Sequence, residues 1–411
     1  MPTFSSGSFG QLRYIPETVI GTTPVAGNGV NLRQTGPTMK AAVTTTASKE
    51  IRSDRLSSGL TRTDLNIDGG FNLELSAREY DPFIEGLLGA SFAHYGTNGL
   101  GTTFSATTAS LSITAAVAPT TTSAFTTLAA GSWFKVVPPA GATAAQKLYF
   151  ADAWFKTSGV PTATAITLDP STPIAAAGLG ITAVAGYAIS QSTVSNGASL
   201  TRGFTLEYAL TDINQFLPFQ GMRTNSLELN VQVGSIITGS FGFVGQGHSG
   251  MVAATTLPGS PVASQALDVM NAVADVGVMM ENGASLLTNG SFIKSVKLNI
   301  SNNMRAQKAV ATFGNAGVGL GELALTGSME LYVADATYYN RWFQGTNTSL
   351  AFGFADSAGN GYLVELDKVS FKDGGLNPGD ASSDVMLTLP FQAFYNATTG
   401  RGIRFTRGVV A

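Results

Sequence analysis

Between residues 64 and 76 apolar and polar side chains alternate almost without a break. Leu65, Ile67, Phe71, Leu73 and Leu75 interleave with Asp64, Asn66, Asp68, Asn72, Glu74 and Ser76. Residues two apart share one face of a strand, so this spacing writes a greasy face and a polar face, as in an antiparallel sheet with one side on a core. The same grammar returns near the other end. Leu323, Leu325, Met329, Leu331 and Val333 alternate with Glu322, Thr326, Ser328, Glu330 and Tyr332 around Gly327. Gly69 and Gly70 read as a turn or bulge between two paired strands, and Gly327 as its counterpart.

Each alternating stretch runs into a short helix. In DPFIEGLLG (residues 81–89), Asp81 caps, Pro82 takes the first helical position and Gly89 stops the helix. After the second stretch, Asp335 precedes Tyr339, Trp342 and Phe343 at helical spacing, with a stop at Gly345. A third strand, FTLEYAL (204–210), repeats the unit with Asp212, Ile213, Phe216, Leu217 and the breaker Pro218. LELNVQ (227–232) and VKLNIS (296–301) are alike as well. The fold class is mainly β: two related β-sandwich or barrel domains, each with a short packed helix. The first comprises residues 1–100 and 196–250, the second 251–411. Residues 101–195 differ, being dominated by Thr, Ala, Ser and Gly. Strand-like runs at SWFKVV, QKLYFADAWF and TAITLD there predict a small all-β insertion.

Only 12% of residues are charged while 44% are apolar, against a usual charged share of about 25%. Cores of protein contacts exclude Lys and Glu, so this surface suits extensive association. A net charge of −3 and no Lys/Arg cluster exclude tight nucleic-acid binding. Zero Cys excludes disulfides, thiolate metal sites and Cys nucleophiles. The first residues, MPTFSSGSFGQLRYIPE, lack the basic and apolar regions of a signal peptide, so the mature chain is expected to start here. The longest apolar stretch, 174–189, is broken by Gly178, Gly180, Thr182 and Gly186 and falls short of the roughly 18 residues of a spanning helix. An outer-membrane barrel needs an export signal and aromatic girdles, and neither is evident.

Catalytic readings find little material. The two histidines, His94 and His248, sit in a link after a helix and in a Gly-rich loop, where surface or packing roles are expected. Gly245, Gly247 and Gly250 spell a dinucleotide fingerprint, but Pro258 and Pro261 preclude the helix it needs. Ser291 and Lys294 match SxxK within a strand-like run and without its companion motifs. Sequons at Asn299, Asn347 and Asn396 matter only in a secreted glycoprotein. A cell- or glycan-binding surface protein is the alternative class, with Trp133, Tyr149, Trp154 and Phe155 as its aromatic platform. No cofactor is expected.

ETVIGTTP (17–24), SKEIRSDR (48–55), the Gly-Gly stretch ending LELSAREYD, NGASLTRGFTLEYALTD (196–212) and FQGMRTNSLELNVQVGSIITGSFGFVG (219–245) follow one another in order. Together they resemble the tail tube proteins of long-tailed (siphovirus-type) bacteriophages, over residues 11–250 well and more weakly to the C-terminus. The resemblance implies tail-tube-type β domains whose strands join between subunits into an inner barrel, rings that stack into a tube, and genomic DNA passing through the lumen. It implies a virion protein made in the host cytoplasm, with copies of itself and other tail proteins as partners and no membrane insertion. Two tube domains per chain then favour a trimeric ring with pseudo-sixfold symmetry over a hexamer. On this expectation Asp64, Asp68, Glu74, Glu322 and Glu330 line the lumen, where acidic walls repel phosphate over about 8 Å at physiological salt. Glu50, Arg52, Asp54 and Arg55, the densest charge cluster, form a loop that contacts a neighbouring subunit or ring, and residues 101–195 decorate the outside.

Overall fold

The computed structural model describes residues 4–95, 102–106, 111–115, 128–139, 141–161, 165–169, 188–197, 201–287 and 292–408. In the first half, β1 (Gly10–Glu17), β2 (Lys40–Ala47) and β3 (Leu60–Glu74) precede α1 (Asp81–Leu88). The intervening segment contributes β4 (Trp133–Val137), α2 (Ala144–Asp152) and β5 (Ala188–Ser195), and the first half resumes with β6 (Gly203–Leu210), β7 (Gln215–Gln232) and β8 (Thr238–Val244). The second half holds β9 (Val276–Glu281), β10 (Ile293–Ser301), β11 (Ala324–Tyr332), α3 (Thr337–Phe343), β12 (Thr348–Ala355), β13 (Gly361–Phe371), β14 (Met386–Ala393) and β15 (Ile403–Gly408).

The alternation is realised as expected, but in one strand and not in a pair. β3 runs straight through Gly69 and Gly70, burying Leu65, Ile67, Phe71 and Leu73. Gly69 has φ +96°, and a Cβ there would sit 2.2 Å from the Thr38 carbonyl oxygen. The glycine admits a neighbouring backbone to a bent strand and makes no turn. β11 likewise passes unbroken through Gly327, where a Cβ would lie 2.3 Å from the Lys297 carbonyl oxygen.

Pairing repeats between the halves. β2 pairs with β3, β3 with β8, and β8 with the C-terminal part of β7. In the second half β10 pairs with β11, β11 with β14, and β14 with the end of β13 and the short strand Gly375–Asn377. Behind each of these inner sheets lies an outer one: β1–β6–β7 and β9–β12–β13, so that β7 and β13 belong to both layers. The inner sheets are continuous, because β7 pairs with β10, Leu229 facing Leu298 and Val231 facing Val296.

The core lies between the layers and draws on both halves, from Phe71, Phe83 and Phe204 to Met329, Leu389 and Phe405. Phe83 stands 4.9 Å from Phe204 and 5.6 Å from Phe241, ring to ring. Each such buried ring contributes about 1.5–3 kcal/mol. Buried carboxylates fasten the connection between the halves to the first one. Glu207 accepts hydrogen bonds from the Thr255 hydroxyl (2.6 Å) and the Thr256 amide (2.7 Å), and Glu79 accepts one from the Gln265 amide (2.9 Å).

α1 ends as expected, at Gly89 in the left-handed conformation, but Asp81 is not its cap. Tyr80 holds that position, and the Asp81 carboxylate instead accepts from the Tyr362 hydroxyl and pairs with Arg407 of the second half. α3 is shorter and buries none of its residues, Trp342 only partly meeting the core. No helix follows β6. Residues 211–214 turn the chain into β7 with Asn214 at φ 50°, and Pro218 lies within that strand opposite Glu207.

The insertion is not all β. QKLYFADAWF, expected as strand, is helix through Asp152, started by a reciprocal cap in which the Thr143 hydroxyl accepts from the Gln146 amide and the Gln146 side chain accepts from the Thr143 amide. Trp133 and Trp154 pack on Val278, Met280 and Leu363 of the second half, and β5 pairs with β15. Trp133, Trp154 and Phe155 are buried, so they form no exposed aromatic platform.

Candidate assembly surface

The face of the inner sheet turned away from the core is polar. On β3 it carries Asp64, Asn66, Asp68, Asn72 and half-buried Glu74. Across the ladders the same face continues with Asn230 opposite Lys297, Asn299 opposite Thr326, and Glu330 opposite Thr388. Lysines balance Asp64, Asp68 and Glu330 on this face, while Glu74 and the exposed Glu228, opposite Asn299, have no ion-pair partner among the described residues. Lys308 lies 2.7 Å from Asp64, Lys40 lies 3.4 Å from Asp68 and Lys294 lies 3.3 Å from Glu330. The Lys308 hydrogen bond holds the Asp64 carboxyl below the usual carboxylate range. Glu322 is apart from the other four, exposed in the loop before β11 and without an ion-pair partner among the described residues.

Glu50, Arg52, Asp54 and Arg55 all lie exposed at the tip of the β2–β3 hairpin. Arg52 and Asp54 pair at 2.7 Å, which lowers the Asp54 carboxyl, and Arg55 takes φ 64°. The charges are accompanied by apolar side chains with nothing on them: Ile51 is 99% exposed and Leu60 72%, with Leu56 beside them. Exposed apolar groups on such a hairpin make it a candidate contact surface.

Two strand edges of the inner sheet are open. Among the described residues β2 pairs only with β3, and Gly375–Asn377 pairs only with β14. Leu376 is 46% exposed. Such edges present unpaired amide and carbonyl groups to another chain. Position by position, β2 occupies the place in the first half that β10 occupies in the second, and Gly375–Asn377 the place of the end of β7. Yet β7 and β10 pair with each other, while the two open edges lie at opposite ends of the sheet order.

Of the two histidines, His248 is packed as expected. His248 stacks on Phe219 at 4.6 Å and its Nδ1 lies 2.7 Å from the Pro218 carbonyl oxygen. Gly247 pairs with Gln220 in a short strand and opens no helix. Lys294 lies in β10, while Ser291 and the His94 side chain fall outside the described residues. The open edges and the exposed Leu60 and Leu376 were not anticipated from sequence. A signal was present in the likeness of ASKEI (47–51) to AQKAV (306–310), which ties one hairpin to the other.

A two-layered β protein with a continuous inner sheet, a polar face and two open strand edges has the build of a self-assembling structural protein. The family model for phage tail tube protein matches residues 7–393, nearly the whole chain, and the chain belongs to that family. It is a structural component of the phage virion that assembles with itself and meets other tail proteins. A search of curated proteins returned no match.

Proposed function

We propose that three copies of this chain close into a ring of a siphovirus-type tail tube, each copy supplying two related tube domains, and that the rings stack around a lumen through which DNA is ejected. The observation carrying this reading is the β7–β10 pairing within one chain, together with its two unfilled counterparts. Repeating that pairing between chains lays residues 38–40 of one copy, where β2 begins, along Gly375–Asn377 of the next. Leu229 opposite Leu298 becomes Leu376 opposite Met39, and the exposed Leu376 is covered. Closure removes both edges.

In this ring the polar face of the inner sheet, with Asp64, Asp68, Glu74 and Glu330, turns to the lumen. Lysines balance most of these carboxylates, so DNA meets amides, hydroxyls and neutral pairs and finds little to hold it. Glu50, Arg52, Asp54 and Arg55 then sit in a loop that meets a neighbouring copy, and the insertion lies outside.

Because the chain has no cysteine, a chain carrying Met39→Cys and Leu376→Cys together tests the seam without background. Directly opposed strand positions come within disulfide reach. The expected result is covalent oligomers on oxidation of assembled protein, ending at three chains. A ladder ending at six chains overturns the trimer, and no cross-link overturns the seam.

A further inference from the structure

The two hairpins are counterparts in detail. Residues 302–323 carry the β10–β11 hairpin onward as a small ladder in which Arg305 faces Gly319 and Gln307 faces Gly317. Residues 43–63 do the same for β2–β3, with Thr45 facing Arg62 and Ala47 facing Leu60. Ala306, Lys308 and Val310 fall on Ala47, Lys49 and Ile51, while Val318 falls on Leu60 and Asp64 on Glu322.

Their surroundings differ in one respect. The second hairpin lies across the first half: Lys308 Nζ donates to Asp64 at 2.7 Å and to the Leu65 carbonyl at 2.8 Å, and Asn315 Nδ2 donates to the Gly245 carbonyl at 2.6 Å. Val318 is thereby 6% exposed, its carbonyl accepting from Arg223. Among the described residues no other segment packs on the first hairpin in this way, and its Leu60 is 72% exposed. Lys49 and Glu322, the counterparts of the bonded Lys308 and Asp64, are both exposed and have no ion-pair partner among the described residues.

We propose that the β2–β3 hairpin of one copy lies across the second half of its ring neighbour, with Lys49 bound to Glu322 and the Leu323 carbonyl of that neighbour and Leu60 buried beside them. This rests on the ring proposed above and adds a contact distinct from its strand seam. One component is not repeated, since Ser370 stands where Arg223 does, so the Leu60 carbonyl receives no guanidinium. The partner is therefore a second copy of this chain, selected by charge complementarity and by the continuity of the contact with one already made inside the molecule.

A zero-length carbodiimide, which joins an amine to a touching carboxylate, gives the direct test on the full-length protein. Peptide mapping is expected to find the Lys308–Asp64 amide in monomers and assemblies alike, as the internal standard. The Lys49–Glu322 amide is expected only in assemblies, including rings locked by the Met39→Cys and Leu376→Cys disulfide. Lys49→Glu alone is expected to raise the concentration needed for tube formation about fivefold, the scale of an exposed ion pair, and Lys49→Glu with Glu322→Lys to restore it. If the seam disulfide forms while the Lys49–Glu322 amide does not, this contact is overturned and the ring reading stands. If neither forms, the ring reading falls first. An amide confined to stacked tubes and absent from locked rings moves the contact between rings and overturns the proposal as well.

Discussion

Lys135 is a lysine held in the interior. It is fully buried, with its ammonium nitrogen 4.9 Å above the Trp154 ring and donating to the Ala151 carbonyl. Burial pulls its pKa down to about 7, against the weaker opposing pull of Asp152 and Asp356. Between pH 7 and the ordinary lysine value the unfolded chain therefore holds a proton that the folded chain lacks, so stability rises with pH across that window. Lys135→Met, which keeps the length of the stem, is expected to stabilise the protein by at most about 5 kcal/mol at pH 7, with the gain shrinking toward pH 10. Urea melts at the two pH values check this, and a gain that does not change with pH counts against it. Nothing in SWFKVV distinguishes such a lysine from an outward one, because its burial comes from distant partners: Ala151 and Trp154 of the insertion, and the second half, where a Cβ on Gly408 would lie 2.9 Å from the Lys135 Cβ.

Among the elements, strands announced themselves best, because a period of two survives any arrangement of the rest of the chain. α1 was legible from its Pro and Gly punctuation. α2 was not, since its aromatic residues imitate a strand and its start depends on one Thr–Gln reciprocity. The Gly69–Gly70 pair misled in a specific way: glycine serves turns and close backbone approaches equally, and only the Thr38 carbonyl decides between them. Gly69→Ala places a methyl into that carbonyl at an unfavourable φ and is expected to cost about 1–3 kcal/mol, measurable by thermal or urea unfolding. A loss no greater than that of Gly141→Ala, at a site where a Cβ meets nothing within 4 Å, would show that β3 tolerates a straighter path. The open edges were illegible for a different reason. An edge is defined by which strands fail to pair, and that emerges only once every ladder is placed.

At the scale of the whole molecule the two halves share pairing order but not accessories. The insertion docks Trp133 and Trp154 on Val278, Met280 and Leu363 and joins β5 to β15, so the second half helps anchor it although its chain interrupts the first, where β5 also pairs with residues 93–95. Rings averaged by electron microscopy are accordingly expected to show a near-sixfold inner wall and a strictly threefold exterior. Six equivalent outer densities in the averaged ring would refute three copies per ring.

The β7–β10 ladder, made inside a single chain, has a consequence for inheritance. When a ring is built from identical single-unit subunits, every change in the gene is printed at every position. With two units per gene joined by a strand ladder, one unit is free to vary while the other keeps the wall intact. In the ring proposed above, a tryptophan-anchored module on alternate positions is what such a divided inheritance permits.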